Sequence, residues 1–175
     1  LEGAYVMGCS LGGNMMFDLA QRYPVKAVIA LQGLDYTPSI SAVARTFMNH
    51  PYVSLQHSHL GYSVSLIGKK ADARARDFIE WGVRQEIATA KKADLAMYNG
   101  FDVRGGMGGI TCPVLMIRGE DDWIVDAESN AETMKRMSNA ARLVYREIEG
   151  VGHFPAVESP AELCQIINEF IALVG

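Results

Sequence analysis

The segment Tyr5-Val6-Met7-Gly8-Cys9-Ser10-Leu11-Gly12-Gly13 constrains this chain more than any other. A short β-prone run enters a Gly-rich turn that holds one serine. An apolar helical pattern then follows through Met15, Met16, Phe17, Leu19 and Ala20 to Tyr23-Pro24. G-x-S-x-G between a strand and a helix is the pattern of a nucleophile elbow. Such an elbow forces its serine into a sharp turn, so that the hydroxyl stands clear of the backbone. The helix N-terminus behind it favours a developing oxyanion. Side chains at Gly8 and Gly12 are expected to collide with the neighbouring strand and helix. The amide of Leu11, next after the serine, is the expected oxyanion donor. Taken alone, these residues also fit an ordinary Gly-rich turn.

A serine hydroxyl is a poor nucleophile at neutral pH. It needs a histidine base, and the histidine needs an acid that fixes its tautomer. Downstream, Cys112-Pro113-Val114-Leu115-Met116-Ile117-Arg118-Gly119 reads as a buried strand that ends in Glu120-Asp121-Asp122. The C-terminal end of a parallel strand is where such sheets place functional groups. Arg142 to Ile148 reads as a further strand. It leads into Glu149-Gly150-Val151-Gly152-His153-Phe154-Pro155, a loop with one histidine.

These segments together resemble the α/β-hydrolase superfamily, in its lidded esterase, lipase and C–C hydrolase branch. The match is carried by Gly8 to Gly13, by Pro113 to Asp122 and by Gly152-His153-Phe154, in the family's order. The resemblance implies Ser10 as nucleophile, Asp122 as acid and His153 as base. The family pattern sets the acid three residues past the strand-ending glycine, which selects Asp122, with Asp121 as runner-up. Asp126 reads as the N-cap of a helix from Ala127 to about Met137. The resemblance covers only the C-terminal part of the family. It implies an α/β fold with a mainly parallel sheet of the family's strands 5–8, strands 1–4 being absent. The chain is then either a piece of a longer enzyme or a shortened hydrolase. A second oxyanion donor, which the family takes from the absent half, has no counterpart in this sequence.

The implied organisation is a partial core, residues 1–34 and 110–175, with a helical lid over residues 35–109. The first part of the lid carries Pro38 and Pro51 and reads as loop with short helices. Ala71 to Tyr98 is helical in pattern, with a break expected at Gly82. Asn99-Gly100 is a helix stop, and Arg104 to Gly109 reads as a flexible return to the sheet. Phe47, Trp81, Met97 and Tyr98 are expected as lid core or pocket wall. Trp123 fits a pocket wall or the surface equally. Met15 and Met16 are expected to pack. His50, His57 and His59 lack a cysteine or carboxylate at metal-site spacing, so no metal is expected. Ser159-Pro160-Ala161-Glu162 reads as a capping box, opening a last helix with Leu163, Ile166, Ile167, Phe170 and Ile171 inward.

With 175 residues, 49% of them hydrophobic, the chain can bury one substantial core. A net charge of −4 offers no basic surface for nucleic acid. Cys9, Cys112 and Cys164 form no C-x-x-C pair and are expected as free, small core residues, which fits a reducing cytoplasm. No membrane span is expected. The implied activity is hydrolysis of a small carboxylic ester or related acyl compound, without a cofactor. The same triad serves acyl transfer, C–C hydrolysis and cofactor-free peroxidation, and a non-catalytic binding module is the rival of another class. The first strand, lacking its family neighbour, is expected to pair with a missing N-terminal half or with a second copy in a homodimer.

Overall fold

The β2 and β3 segments, Ala27–Leu31 and Val114–Gly119, are buried along their whole length, as near-continuous apolar runs demand. They form the middle of a four-stranded sheet of order β1-β2-β3-β4, with β1 Tyr5–Cys9 and β4 Leu143–Ile148 at the edges. All three pairings are parallel. The computed structural model describes residues 1–37, 39, 41, 42, 46 and 50–175.

Alternation along the strands divides the core between two faces. Ala27, Ile29 and Leu31 of β2 join Leu115, Ile117 and Ile148 under Leu163 and Phe170 of the last helix. Val28 and Ala30 join Val114 and Met116 under Phe17, Met107 and Met137 on the other side. Phe17 belongs to α1, Leu11–Arg22, which returns the chain from β1 to β2. Between β2 and β3 lie α2 Leu55–Val64, α3 Ala73–Gln85 and α4 Ala88–Tyr98. Ser54 caps α2 by accepting from the His57 amide, and Asp72 caps α3 by accepting from Ala75. Past β3, Asp126 caps α5, Ala127–Arg136, through the Ser129 amide. A single turn, α6 Pro155–Glu158, and the long α7, Pro160–Val174, close the chain.

Several local expectations need correction. The helical break falls at Glu86-Ile87 rather than at Gly82, because α3 continues through Gly82, where open space surrounds the backbone. The return over Arg104–Gly109 is a 3₁₀ helix held in place by Met107, which is fully buried. Gln21 Nε2 of α1 donates to Val103 O and meets Met107 Sδ, fastening this turn to the sheet side. The capping box does not close on the backbone: the Ser159 hydroxyl bonds the Glu162 carboxylate instead, and Glu162 also binds Lys70. Of the cysteines, Cys9 and Cys164 are exposed and Cys112 is half-buried, so none is a core residue. Cys9 lies on an edge strand and Cys164 on the outer side of α7. Trp81 and Met97 are exposed, whereas Tyr98 lines a cavity. Phe47 and Pro38 lie outside the described residues. Among the described residues, no helix is long and apolar enough to cross a membrane.

Candidate active site

Ser10 sits between β1 and α1 at φ 54° and ψ −124°. A positive φ is rare for a residue with a side chain and marks a backbone held by its surroundings. Two hydrogen bonds hold it: Ser10 N–H donates to Leu31 O at 2.8 Å, and Asn14 N–H donates to Ser10 O at 3.0 Å. Crowding fixes the turn further. A Cβ on Gly8 would lie 2.2 Å from Gly12 O. The second crowded glycine is Gly13, not Gly12: its Cβ would meet Leu31 O at 3.0 Å, while nothing lies within 4 Å of one on Gly12. Leu11 is the first residue of α1, so its amide is one of the N–H groups left without a helical acceptor.

The acid loop and the histidine loop meet at the C-terminal end of the same sheet. His153 Nδ1 lies 2.7 Å from Asp122 Oδ2, and the Asp122 side chain is fully buried. Asp122 Oδ1 accepts from the amides of Ile124 at 2.9 Å and Val125 at 3.3 Å. That carboxylate is thus aimed from behind by its own loop and from in front by the imidazole. Asp121 turns away to the surface, where Lys69 gives it a backbone and a side-chain bond, each 2.9 Å. Those bonds hold the Asp121 carboxyl below its ordinary range. Arg118, buried at the end of β3, braces the loop from beneath by donating to the carbonyls of Glu120, Asp122 and Val125.

Ser10, Leu11 and His153 all line one cavity of about 480 Å³. Leu34, Leu66, Ile124, Val125 and Phe154 give it apolar wall, and α2 and α4 contribute His59, Tyr62 and Tyr98. Burial pushes the Tyr62 and Tyr98 hydroxyls up; at Tyr62 the neighbouring Tyr98 and then the Asp122 charge add to this, and at Tyr98 the Asp122 charge does. Of the histidines between β2 and β3, His59 pairs with Glu86 at 3.5 Å and His57 with the Ser54 hydroxyl at 2.9 Å. Among the described residues, no three His, Cys, Asp or Glu side chains gather as a metal site. Trp123 is a surface residue whose indole N–H donates to Ser65 O. Cys9, beside Ser10, turns its thiol to His153 O, and burial, ahead of the Asp122 charge, pushes its pKa up to about 11.

Three supporting residues carry no signal of their own in the sequence. Asn14 is buried and its Oδ1 accepts from Leu34 N–H at 2.7 Å, tying α1 to the loop after β2. Gln32, at φ 51°, donates through Nε2 to Gly152 O beside the histidine. Glu158 accepts backbone bonds on both sides of His153. Asn14 lies in the first turn of α1, Gln32 just past β2 and Glu158 at the end of α6, positions that only hint at such roles.

Residues 1–166 match the Alpha/beta hydrolase family. Among curated proteins, none matches the chain. The fold is similar to that of a bromoperoxidase from Bacillus anthracis, at 16% identity and a TM-score of 0.80, covering 98% of this chain and 68% of that one. It is similar to the enol-lactonase from Burkholderia xenovorans LB400, at 17% identity and 0.79, covering 95% and 64%. A thermophilic esterase from Thermogutta terrifontis gives 17% identity and 0.79, covering 99% and 66%. The chain thus spans about two thirds of the length of these relatives, and at such identities the likeness is one of fold.

Proposed function

From the premise that the chain belongs to the α/β-hydrolase family, we propose that it is a serine hydrolase acting on a small carboxylic ester or related acyl compound. Ser10 attacks the carbonyl, His153 takes the proton and returns it to the leaving group, and Asp122 holds the imidazole and balances its charge. The observation that carries this reading is the 2.7 Å contact between His153 Nδ1 and Asp122 Oδ2, made by a histidine that lines the same cavity as Ser10. With Nδ1 committed to Asp122, Nε2 is the nitrogen left for the serine. The Leu11 amide, at the positive end of α1, stabilises the oxyanion.

The α2–α4 region supports a second part of the reading. Residues 35–109 act as a lid that sets substrate size, since Tyr62 and Tyr98 from this region line the cavity. Long connections of this kind are commonly functional. Exchanging the segment for that of a characterised relative is expected to move acyl-length preference. The open edge of β1 takes a further strand, from an N-terminal half or from a second copy, and with it comes the second oxyanion donor.

Turnover of p-nitrophenyl acetate tests the reaction, with Ser10→Ala as control. A fluorophosphonate probe is expected to label Ser10. Labelling at another residue, or turnover that survives Ser10→Ala, would refute the assignment.

A further inference from the structure

We infer that Glu158 is a positioning residue, a latch whose one carboxylate holds the histidine loop and the cavity-lining α2 region in a single register. The inference rests on the reading of His153 as the base. Glu158 ends the single turn of α6 and is 7% exposed. Its Oε2 accepts from Gly152 N–H and from Gly68 N–H, both at 2.8 Å. Its Oε1 accepts from Phe154 N–H at 2.9 Å. The donors at 152 and 154 flank His153, and the His153 amide itself donates to Leu66 O at 2.8 Å. Three consecutive amides of the histidine loop are thereby fixed, two by Glu158 and one by the segment that follows α2.

Among the described residues, Glu158 has no cationic partner, and backbone N–H groups alone compensate its buried carboxylate. Bonds of this kind are short, strong and directional. They are also exacting, because an acceptor oxygen shared by two donors cannot be exchanged for a donor. The fit around them is equally tight. A Cβ on Gly68 would lie 2.3 Å from Gly152 N, and one on Gly152 would lie 2.1 Å from Leu66 O. The backbones therefore touch where the latch closes. Leu66 lines the cavity, and so do His59, Tyr62 and Ser63 of α2. One carboxylate thus registers the wall against which substrate lies with the imidazole that moves its proton.

Glu158→Gln keeps shape and volume but turns one acceptor into a donor. A misplacement of the base by about 1 Å lowers rate by about a hundredfold. Glu158→Gln is accordingly expected to lower kcat by about that factor with KM little changed, whereas a purely structural role leaves kcat per folded molecule intact. The proton NMR signal of His153 Nδ1–H in its bond to Asp122 is expected to broaden or vanish in this variant. Amide hydrogen exchange of the unaltered protein provides a test that needs neither a variant nor activity. Gly68, Gly152 and Phe154 are expected to exchange slowly and together. Rapid exchange at Gly68 or Gly152, or a folded Glu158→Gln protein with unchanged kcat and His153 signal, overturns the latch. Absence of any esterase turnover overturns the parent reading instead and leaves the exchange result to decide the latch.

Discussion

Asp121 and Asp122 are neighbours in the chain with different partners: Asp121 binds Lys69 at the surface, and Asp122 binds His153 in the interior. The strand ladder sets this division. Asp121 N–H still bonds Val151 O across to the histidine loop, while Asp122 N–H folds back onto Gly119 O. The backbone turns at that point and takes the second carboxylate inward. Asp122→Asn is expected to leave the fold in place and to cut kcat by about ten-thousand-fold, through the wrong imidazole tautomer. Asp121→Asn loses an exposed pair and is expected to change activity less than about twofold, in line with the small worth of such pairs. Kinetics of both variants on one ester check this. The reverse ranking would identify Asp121 as the acid.

Gly8 and Gly12 are expected to respond in opposite directions. An added methyl at Gly8 meets the backbone oxygen of Gly12, which cannot move without opening the elbow. Gly8→Ala is expected to destabilise by about 1–3 kcal/mol, the range for overpacking. Gly12 lies in the first turn of α1 with space around it, so Gly12→Ala is expected to stabilise by up to about 1 kcal/mol through helix propensity. Urea denaturation of the two variants measures both signs. A tolerated Gly8→Ala would mean that the turn is looser than its contacts require.

Much of this site is legible in the sequence because its key residues sit where the backbone pattern changes. Ser10 falls where a strand becomes a helix, Asp122 follows a strand whose apolar run is plain, and His153 sits in the glycine-containing loop after β4. The remainder depends on contacts between distant segments. Gly13 is crowded by Leu31 O at the end of β2 and by Gly33 in the loop after it. Glu158 gains its role from the amides of residues 68, 152 and 154, a convergence that periodicity does not encode. The Arg104–Gly109 stretch reads as flexible from its glycines, yet Met107 inserts into the core and imposes a 3₁₀ turn. Cys9 and Cys164 read as core because cysteine is commonly buried, but Cys164 is exposed on α7 and Cys9 turns its thiol to His153 O at the cavity.

Cys9 is expected to resist alkylation at neutral pH although its residue is exposed. Burial first, and the Asp122 charge second, raise its thiol from 9.0 to about 11. At pH 8 roughly one thiol in a thousand is then ionised, and thiolate is the reactive form. Iodoacetamide labelling at Cys9, followed by mass spectrometry of the peptide, is expected to rise with pH until about 11. The linkage has a definite sign. Below pH 9.0 the thiol is protonated in both the folded and the unfolded chain, and from there to about 11 only the unfolded chain ionises. This group therefore lowers stability as pH rises through that window. Fast labelling of Cys9 in folded protein at pH 7.5 would show that its thiol is not shielded.

The outer edge of β1 is expected to carry another strand. Ala4 O accepts from Lys26 N–H and Ser10 N–H donates to Leu31 O, so the even-numbered residues between them direct their backbone groups at β2. In a parallel ladder the odd-numbered residues then direct theirs the other way. The N–H and C=O groups of Tyr5, Met7 and Cys9 thus point outward from the sheet, and Met7 is 56% exposed. A row of this kind is a template for pairing. Light scattering at micromolar concentration is expected to report a dimer of this chain, or a complex when an N-terminal half is supplied. Met7→Pro removes one outward N–H and leaves the β1–β2 ladder intact. This substitution is expected to weaken the association by at least tenfold while the circular dichroism spectrum is kept. A chain that remains monomeric and active, or an association that Met7→Pro leaves unchanged, would place the pairing surface elsewhere.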